Sequence, residues 1–89
     1  MNLFSPVTVY GQPGCRPCER VKTQLAAKGI EFEYVDISTD DEARTYVVDV
    51  LKASSTPVIV TEHLDPMIGY DTSKFRQIVD YYTASETGL

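Results

Sequence analysis

The chain has 89 residues, 43% of them hydrophobic and 24% charged, with a formal net charge of -5. That length sets one domain, and that balance belongs to a folded chain rather than a disordered one. The acidic excess argues against nucleic acid or an anionic membrane surface as the main partner, and no apolar run approaches the ~20 residues needed to span a bilayer. A domain of this size buries about two-thirds of its unfolded surface, enough for a small core without staples. The opening Met1-Asn2-Leu3-Phe4-Ser5-Pro6 lacks the basic and long apolar regions of a signal peptide, so a cytoplasmic location is expected.

Pro6 to Tyr10 reads as a strand, rich in β-branched and aromatic residues. Gly11 to Gly14 is a loop punctuated by glycine and proline, and a helical pattern begins around Pro17. Between them lies Cys15-Arg16-Pro17-Cys18. Residues three apart on a helix share a face, close enough for two sulfurs to bond. Cys15 falls at the helix N-terminus, where unpaired N–H groups and the dipole favour a thiolate, and Cys18 falls one turn in, where it is more buried. One cysteine attacks and the other resolves, which is a dithiol–disulfide exchange centre. Closing so short a loop removes little entropy from the unfolded chain, so a purely stabilising disulfide is poorly motivated. The competing reading is half of a zinc site, but zinc takes four ligands, and the chain offers no second CxxC and one histidine, His63, in a polar turn.

The helix carries Cys18, Val21, Leu25 and Ala26 on one face, and Lys28-Gly29 stops it. Pro17 suits the first helical turn, where its missing N–H has no partner to lose. Ile30 to Ile37 reads as the second strand. Thr39 and Glu42 form a capping box for a second helix, with Ala43, Tyr46, Val47, Val50 and Leu51 on its apolar face. Lys52 to Ser55 forms a loop. Val58 to Thr61 is a third strand introduced by Thr56-Pro57, Glu62 to Pro66 a polar turn, and Met67-Ile68 a short fourth strand stopped at Gly69. Asp71 caps a last helix with Phe75, Ile78, Val79 and Tyr82 inward, fraying from Ser85 to Leu89. The order is βαβαββα, with a parallel, right-handed first crossover and a terminal hairpin.

This order, with a CxxC after the first strand, resembles the glutaredoxin branch of the thioredoxin fold, and most closely the NrdH-redoxins. The segments that carry the likeness are Thr8-Val9-Tyr10, Pro13 to Cys18, Val35 to Asp40, Glu42 to Val47 and Thr56 to Val60. The resemblance implies an α/β domain spanning residues 1–89, ordered from about 7 to 84, with a four-stranded mixed sheet and three helices. It implies Cys15 as nucleophile and Cys18 as resolving cysteine, with no cofactor beyond that redox-active disulfide and no metal. Pro57 is then cis beside the dithiol, and the Thr56 backbone pairs with an extended target peptide, although the sequence itself carries only an X-Pro bond. Gly69 and Tyr70 join the substrate surface, although Tyr70 reads from the chain itself first as a partly exposed packing residue. Pro13, Arg16 and Pro17 support the redox site. Arg16 is either a solvated charge or a cation that favours the Cys15 thiolate or steers acidic partners, and Pro17 points to a couple nearer roughly -270 mV than roughly -120 mV.

The same resemblance implies a monomer that passes two electrons to ribonucleotide reductase or another disulfide protein. Its reductant would be thioredoxin reductase, so that NADPH acts only indirectly. A glutathione-dependent glutaredoxin is the alternative within this chemistry, and a metal or iron–sulfur binding module is the alternative outside it. Two positions depart from the family pattern. Met67-Ile68-Gly69-Tyr70 keeps the glycine and an aromatic residue of the stretch before the last helix but not its tryptophan. Gln12 replaces the lysine that in glutaredoxins holds a glutathione carboxylate, which weakens the case for glutathione.

Overall fold

The computed structural model describes residues 6–87. β1 (Val7–Gly11) leads into α1 (Arg16–Ala27), then β2 (Glu33–Asp36), α2 (Asp41–Thr45) continued by a π-helical turn (Tyr46–Val50), β3 (Val58–Thr61), β4 (Met67–Ile68) and α3 (Thr72–Thr87). The strands lie in the order β2-β1-β3-β4. β1 runs parallel to β2 and antiparallel to β3, and β3 and β4 form an antiparallel hairpin. The expected thioredoxin/glutaredoxin architecture, a mixed four-stranded sheet with three helices, is the observed one.

Both faces of the sheet are covered, because alternate residues of β1 and β3 are apolar on both sides. On one face Val7, Val9 and Ile59 pack with Val21 and Leu25 of α1 and Phe75 and Ile78 of α3. On the other, Val58 packs with Ile37, Val47 and Ala53, flanked by Tyr10 and Tyr46. Leu25 and Ile78 are fully buried, each stabilising the fold by about 1.5–3 kcal/mol relative to an exposed side chain.

The ends of α1 follow from local chemistry. Gly29 takes a left-handed φ of 73°, its N–H bonds the Ala26 carbonyl, and the Ile30 N–H bonds the Leu25 carbonyl. That pair of reversed bonds is the Schellman cap, with Ile30 and Leu25 meeting in the core. It also draws Ile30 out of the second strand. β2 is accordingly four residues, not the eight from Ile30 to Ile37, because its one partner offers pairing positions only from Thr8 to Gly11.

Four further details differ from expectation. Ala26 is exposed, so the buried stripe of α1 is Cys18, Val21 and Leu25. Asp40, not Thr39, caps α2: its carboxylate accepts from the Ala43 N–H at 3.0 Å, while the Thr39 hydroxyl closes a turn onto the Asp36 carbonyl. Val50 is 63% exposed, because the Leu51 N–H bonds back to the Tyr46 carbonyl, and that wider turn rotates Val50 off the apolar stripe. α3, capped by Asp71 Oδ1 accepting from the Lys74 N–H, runs to Thr87, past the expected fraying point at Ser85. Gly88 and Leu89, like Met1 to Ser5, lie outside the described residues.

Candidate redox site

Gln12 to Cys15 is a tight turn. The Cys15 N–H bonds the Gln12 carbonyl at 3.3 Å, Pro13 occupies the second position, and Gly14 has a φ of 81° at the third. This is the type II pattern, which needs positive φ at its third residue and favours proline at its second. The turn ends β1 and delivers Cys15 to the N-cap of α1 in an extended conformation, φ -91° and ψ 103°. Arg16 and Pro17 fill the first two helical positions, and Cys18 follows on the inner face.

Cys15 and Cys18 are disulfide-bonded, with Cα atoms 5.2 Å apart. Their surroundings differ sharply. Cys15 is partly exposed, whereas Cys18 is fully buried. Cys15 Sγ acts as the helix cap, accepting from the Cys18 N–H at 3.1 Å. It also accepts from the Thr56 hydroxyl at 3.4 Å, and Thr56 Oγ1 in turn accepts from Gln12 Nε2 at 3.3 Å. A sulfur at a helix N-terminus with two donors aimed at it is a sulfur on which negative charge is stabilised. The Thr56-Pro57 bond is cis, and Pro57 is buried directly before β3.

The remaining expected residues divide. Pro13 and Arg16 are exposed, and Pro17 is partly covered. Gly69 is buried at a φ of 73°, and a Cβ there would stand 2.7 Å from Ser55 Oγ, so the β4 end passes close under the loop that carries Thr56. Tyr70 is the partly exposed packing residue that the chain suggests. It is 38% exposed, its ring lies 6.0 Å from that of Phe75, and with Gln24 and Lys28 it lines a groove between α1 and α3.

Two features escaped the sequence reading. An open cleft of about 320 Å³ runs beside Thr56, lined by Gln12, Arg44, Ser38, Ser54 and Ser55. Arg44 carries no expectation from the sequence beyond lying in the Glu42 to Val47 segment. The other is Tyr34 on β2, whose hydroxyl sits over Gly11 beside Cys18. The sequence signal for it was a glycine, Gly11, closing an otherwise β-branched and aromatic strand. Burial raises the Tyr34 pKa, helped by the Glu19 and Asp36 carboxylates, so the O–H is kept at neutral pH. Among the described residues no group of three His, Cys, Asp or Glu gathers as metal ligands would, and no helix is long and apolar enough to cross a membrane.

Comparison with known proteins agrees with this geometry. Residues 7–64 match the Glutaredoxin family model. The chain is 58% identical over 88 residues to the Gene 56 protein of Mycobacterium phage D29, covering 99% of this chain and 98% of that one. It is 55% identical to the Gene 56 protein of Mycobacterium phage L5, again over 99% of this chain and over 85% of the relative. Among solved structures, a thioredoxin-like protein superposes with a TM-score of 0.72 at 30% identity, over 81% of this chain and 97% of the other. NrdH-redoxin from Escherichia coli superposes with a TM-score of 0.70 over 81% and 92% of the two chains, at 19% identity, which speaks for the fold alone. The family model, the sheet order and the CxxC pair at the head of α1 agree: the chain belongs to the glutaredoxin family and is a thiol–disulfide oxidoreductase.

Proposed function

We propose that this chain is a dithiol redoxin of the NrdH type, which reduces a disulfide on ribonucleotide reductase and is itself reduced by thioredoxin reductase. The observation that carries the dithiol mechanism is the asymmetry of the pair. The exposed Cys15 sulfur is held by the Cys18 N–H and the Thr56 hydroxyl, and the Cys18 sulfur is buried directly behind it. The Cys15 thiolate attacks one sulfur of the target disulfide and the other leaves as a thiolate. Cys18 then attacks Cys15 Sγ, the target's second sulfur leaves, and the redoxin disulfide closes. Two electrons pass to the target, and each departing thiolate takes a proton from water. Thr56, next to cis-Pro57, offers backbone for pairing with an extended target segment.

The choice of reductant rests on Gln12. Where glutaredoxins place a cation, this chain places an amide that is spent on Thr56. One observation favours the glutathione alternative: Arg44 lines the cleft beside Thr56 and supplies a cation there. Capture of the target tests the protein-disulfide reading. Reduced Cys18→Ser protein, mixed with oxidised ribonucleotide reductase, should form a covalent adduct on a non-reducing gel, released by dithiothreitol. No adduct, with Cys15 still alkylated by iodoacetamide, would remove ribonucleotide reductase as the target.

A further inference from the structure

The resolving step asks something of the fold that the CxxC segment does not supply. Cys18 must become a thiolate before it attacks, yet its side chain is fully buried. An anion out of reach of water is costly unless a donor meets it. The Cys18 N–H is turned away, to Cys15 Sγ.

The point where Cys18 Sγ meets the sheet lies over Gly11. A Cβ built on Gly11 would stand 3.0 Å from Cys18 Sγ and 2.9 Å from Tyr34 Cζ, the ring carbon that bears the hydroxyl, with the hydroxyl itself closer still. Gly11 therefore opens a space that the Tyr34 hydroxyl fills, beside the sulfur. Pairing explains how it gets there. Tyr34 lies opposite Val9 in the parallel ladder, and its side chain leans along the strand toward Gly11. Lys22 Nζ, 4.0 Å above the ring centroid, pins the ring, and Glu19 holds Lys22 at 3.3 Å.

We propose that the Tyr34 hydroxyl donates a hydrogen bond to the Cys18 thiolate and thereby sets the rate of the resolving step. The inference rests on the dithiol mechanism above. Tyr34 acts as a donor and not as a base, because burial and the carboxylates of Glu19 and Asp36 keep its proton on. The Cys18 thiol loses its proton to solvent. The thiolate attacks Cys15 Sγ of the mixed disulfide, the bond from Cys15 to the target sulfur breaks, and that sulfur leaves with the electron pair and is protonated by water. Tyr34 keeps its own proton throughout. The charged groups around it are Lys22 and Glu19 from α1 and Asp36 from β2; from β1, the uncharged Gly11 lies against the hydroxyl.

The test uses the reduced full chain and an aromatic disulfide, 5,5′-dithiobis(2-nitrobenzoate), whose released thiolate is coloured. Attack by Cys15 releases the first equivalent and attack by Cys18 the second, followed by stopped flow from pH 5 to 10. Two phases in the wild type and one in Cys18→Ser support the dithiol mechanism itself; one phase in both would overturn it independently of Tyr34. In Tyr34→Phe the first phase should be unchanged, and the pH midpoint of the second should rise by about one unit. A less stabilised thiolate is scarcer but more nucleophilic, so the second phase should be about threefold slower below its midpoint and about threefold faster above it. That crossover is not what a loosened fold produces. An unchanged second phase in Tyr34→Phe, or equal slowing of both phases at every pH, would overturn the proposal.

Discussion

Replacing Gly11 with alanine tests the packing of the redox site with a single methyl group. Gly11 lies in a strand without a left-handed φ, so alanine meets no backbone strain there. The methyl instead meets Cys18 Sγ at 3.0 Å and Tyr34 Cζ at 2.9 Å. Cys18 is fixed by its helix and its burial, so the Tyr34 ring must give way, leaving Lys22 and part of its place against the core. Overpacking of this kind costs about 1–3 kcal/mol, and the lost cation–π contact accounts for about 0.5–1 kcal/mol of it. At roughly 4–8 °C per kcal/mol for a domain of this size, a 2 kcal/mol loss lowers Tm by roughly 8–16 °C. Thermal unfolding of the oxidised protein by far-UV circular dichroism measures it. A cycle with Tyr34→Ala isolates the share due to the ring, since with the ring gone only the 3.0 Å approach to Cys18 Sγ remains. The cost of Gly11→Ala should then fall by at least half, the remainder being the contact with the sulfur. A Gly11→Ala variant as stable as wild type, or one equally destabilised in both backgrounds, would refute the reasoning.

Thr56→Val removes the hydroxyl that donates to Cys15 Sγ while keeping the shape, and should slow alkylation of reduced Cys15 by iodoacetamide at pH 7 about threefold, with no change in the pH 10 rate beyond a modest rise. Asp36 titrates below the usual carboxylate range because the Ser38 hydroxyl at 2.6 Å and the Ser38 N–H at 2.8 Å donate to its Oδ1. A carboxylate depressed in the folded state stabilises the fold above its unfolded pKa of about 3.9, and that contribution is lost as pH falls through the folded value. Ser38→Ala should therefore raise the Asp36 pKa seen by NMR, and its stability deficit at pH 7 should shrink as the pH is lowered through the acid range. Lys52 ends the π turn at a φ of 60°, a conformation that costs an L-residue about 1 kcal/mol and glycine little, so Lys52→Gly should raise the urea midpoint. A lowered midpoint would show that the Lys52 side chain itself contributes to that end.

Elements defined by local chemistry were legible in the chain. The CxxC after an apolar strand, Pro17 in the first turn, Lys28-Gly29 at the helix end and Asp71 before the last helix each name a backbone state that few other residues serve. Features that depend on what lies across the sheet were not. Ile30 to Ile37 alternates as a strand would, but a strand on the sheet edge is only as long as its neighbour, and the Schellman cap claims Ile30 first. Val50 sits at a helical interval, yet the i to i+5 bonds of Tyr46–Val50 carry it to the surface. Tyr70 reads as a partly exposed packing residue and is one, but that its ring packs on Phe75 at the α1/α3 groove depends on how the two helices meet, which no local pattern encodes. Tyr34 carried no motif at all. Its relation to Cys18 exists only through the register that sets it opposite Val9, two residues before the glycine it leans over.

The most direct test of the central claim sets the oxidised protein between two sources of electrons. One is NADPH with thioredoxin reductase, and the other is NADPH with glutathione and glutathione reductase. NADPH oxidation is followed with insulin as the disulfide substrate and Cys15→Ser as the blank. Turnover with thioredoxin reductase, and little above the blank with glutathione, is the predicted result, with Gln12 in place of a cation as its structural basis. Turnover with glutathione alone would contradict the reductant assignment and give Arg44 and the cleft beside Thr56 the role of a glutathione site.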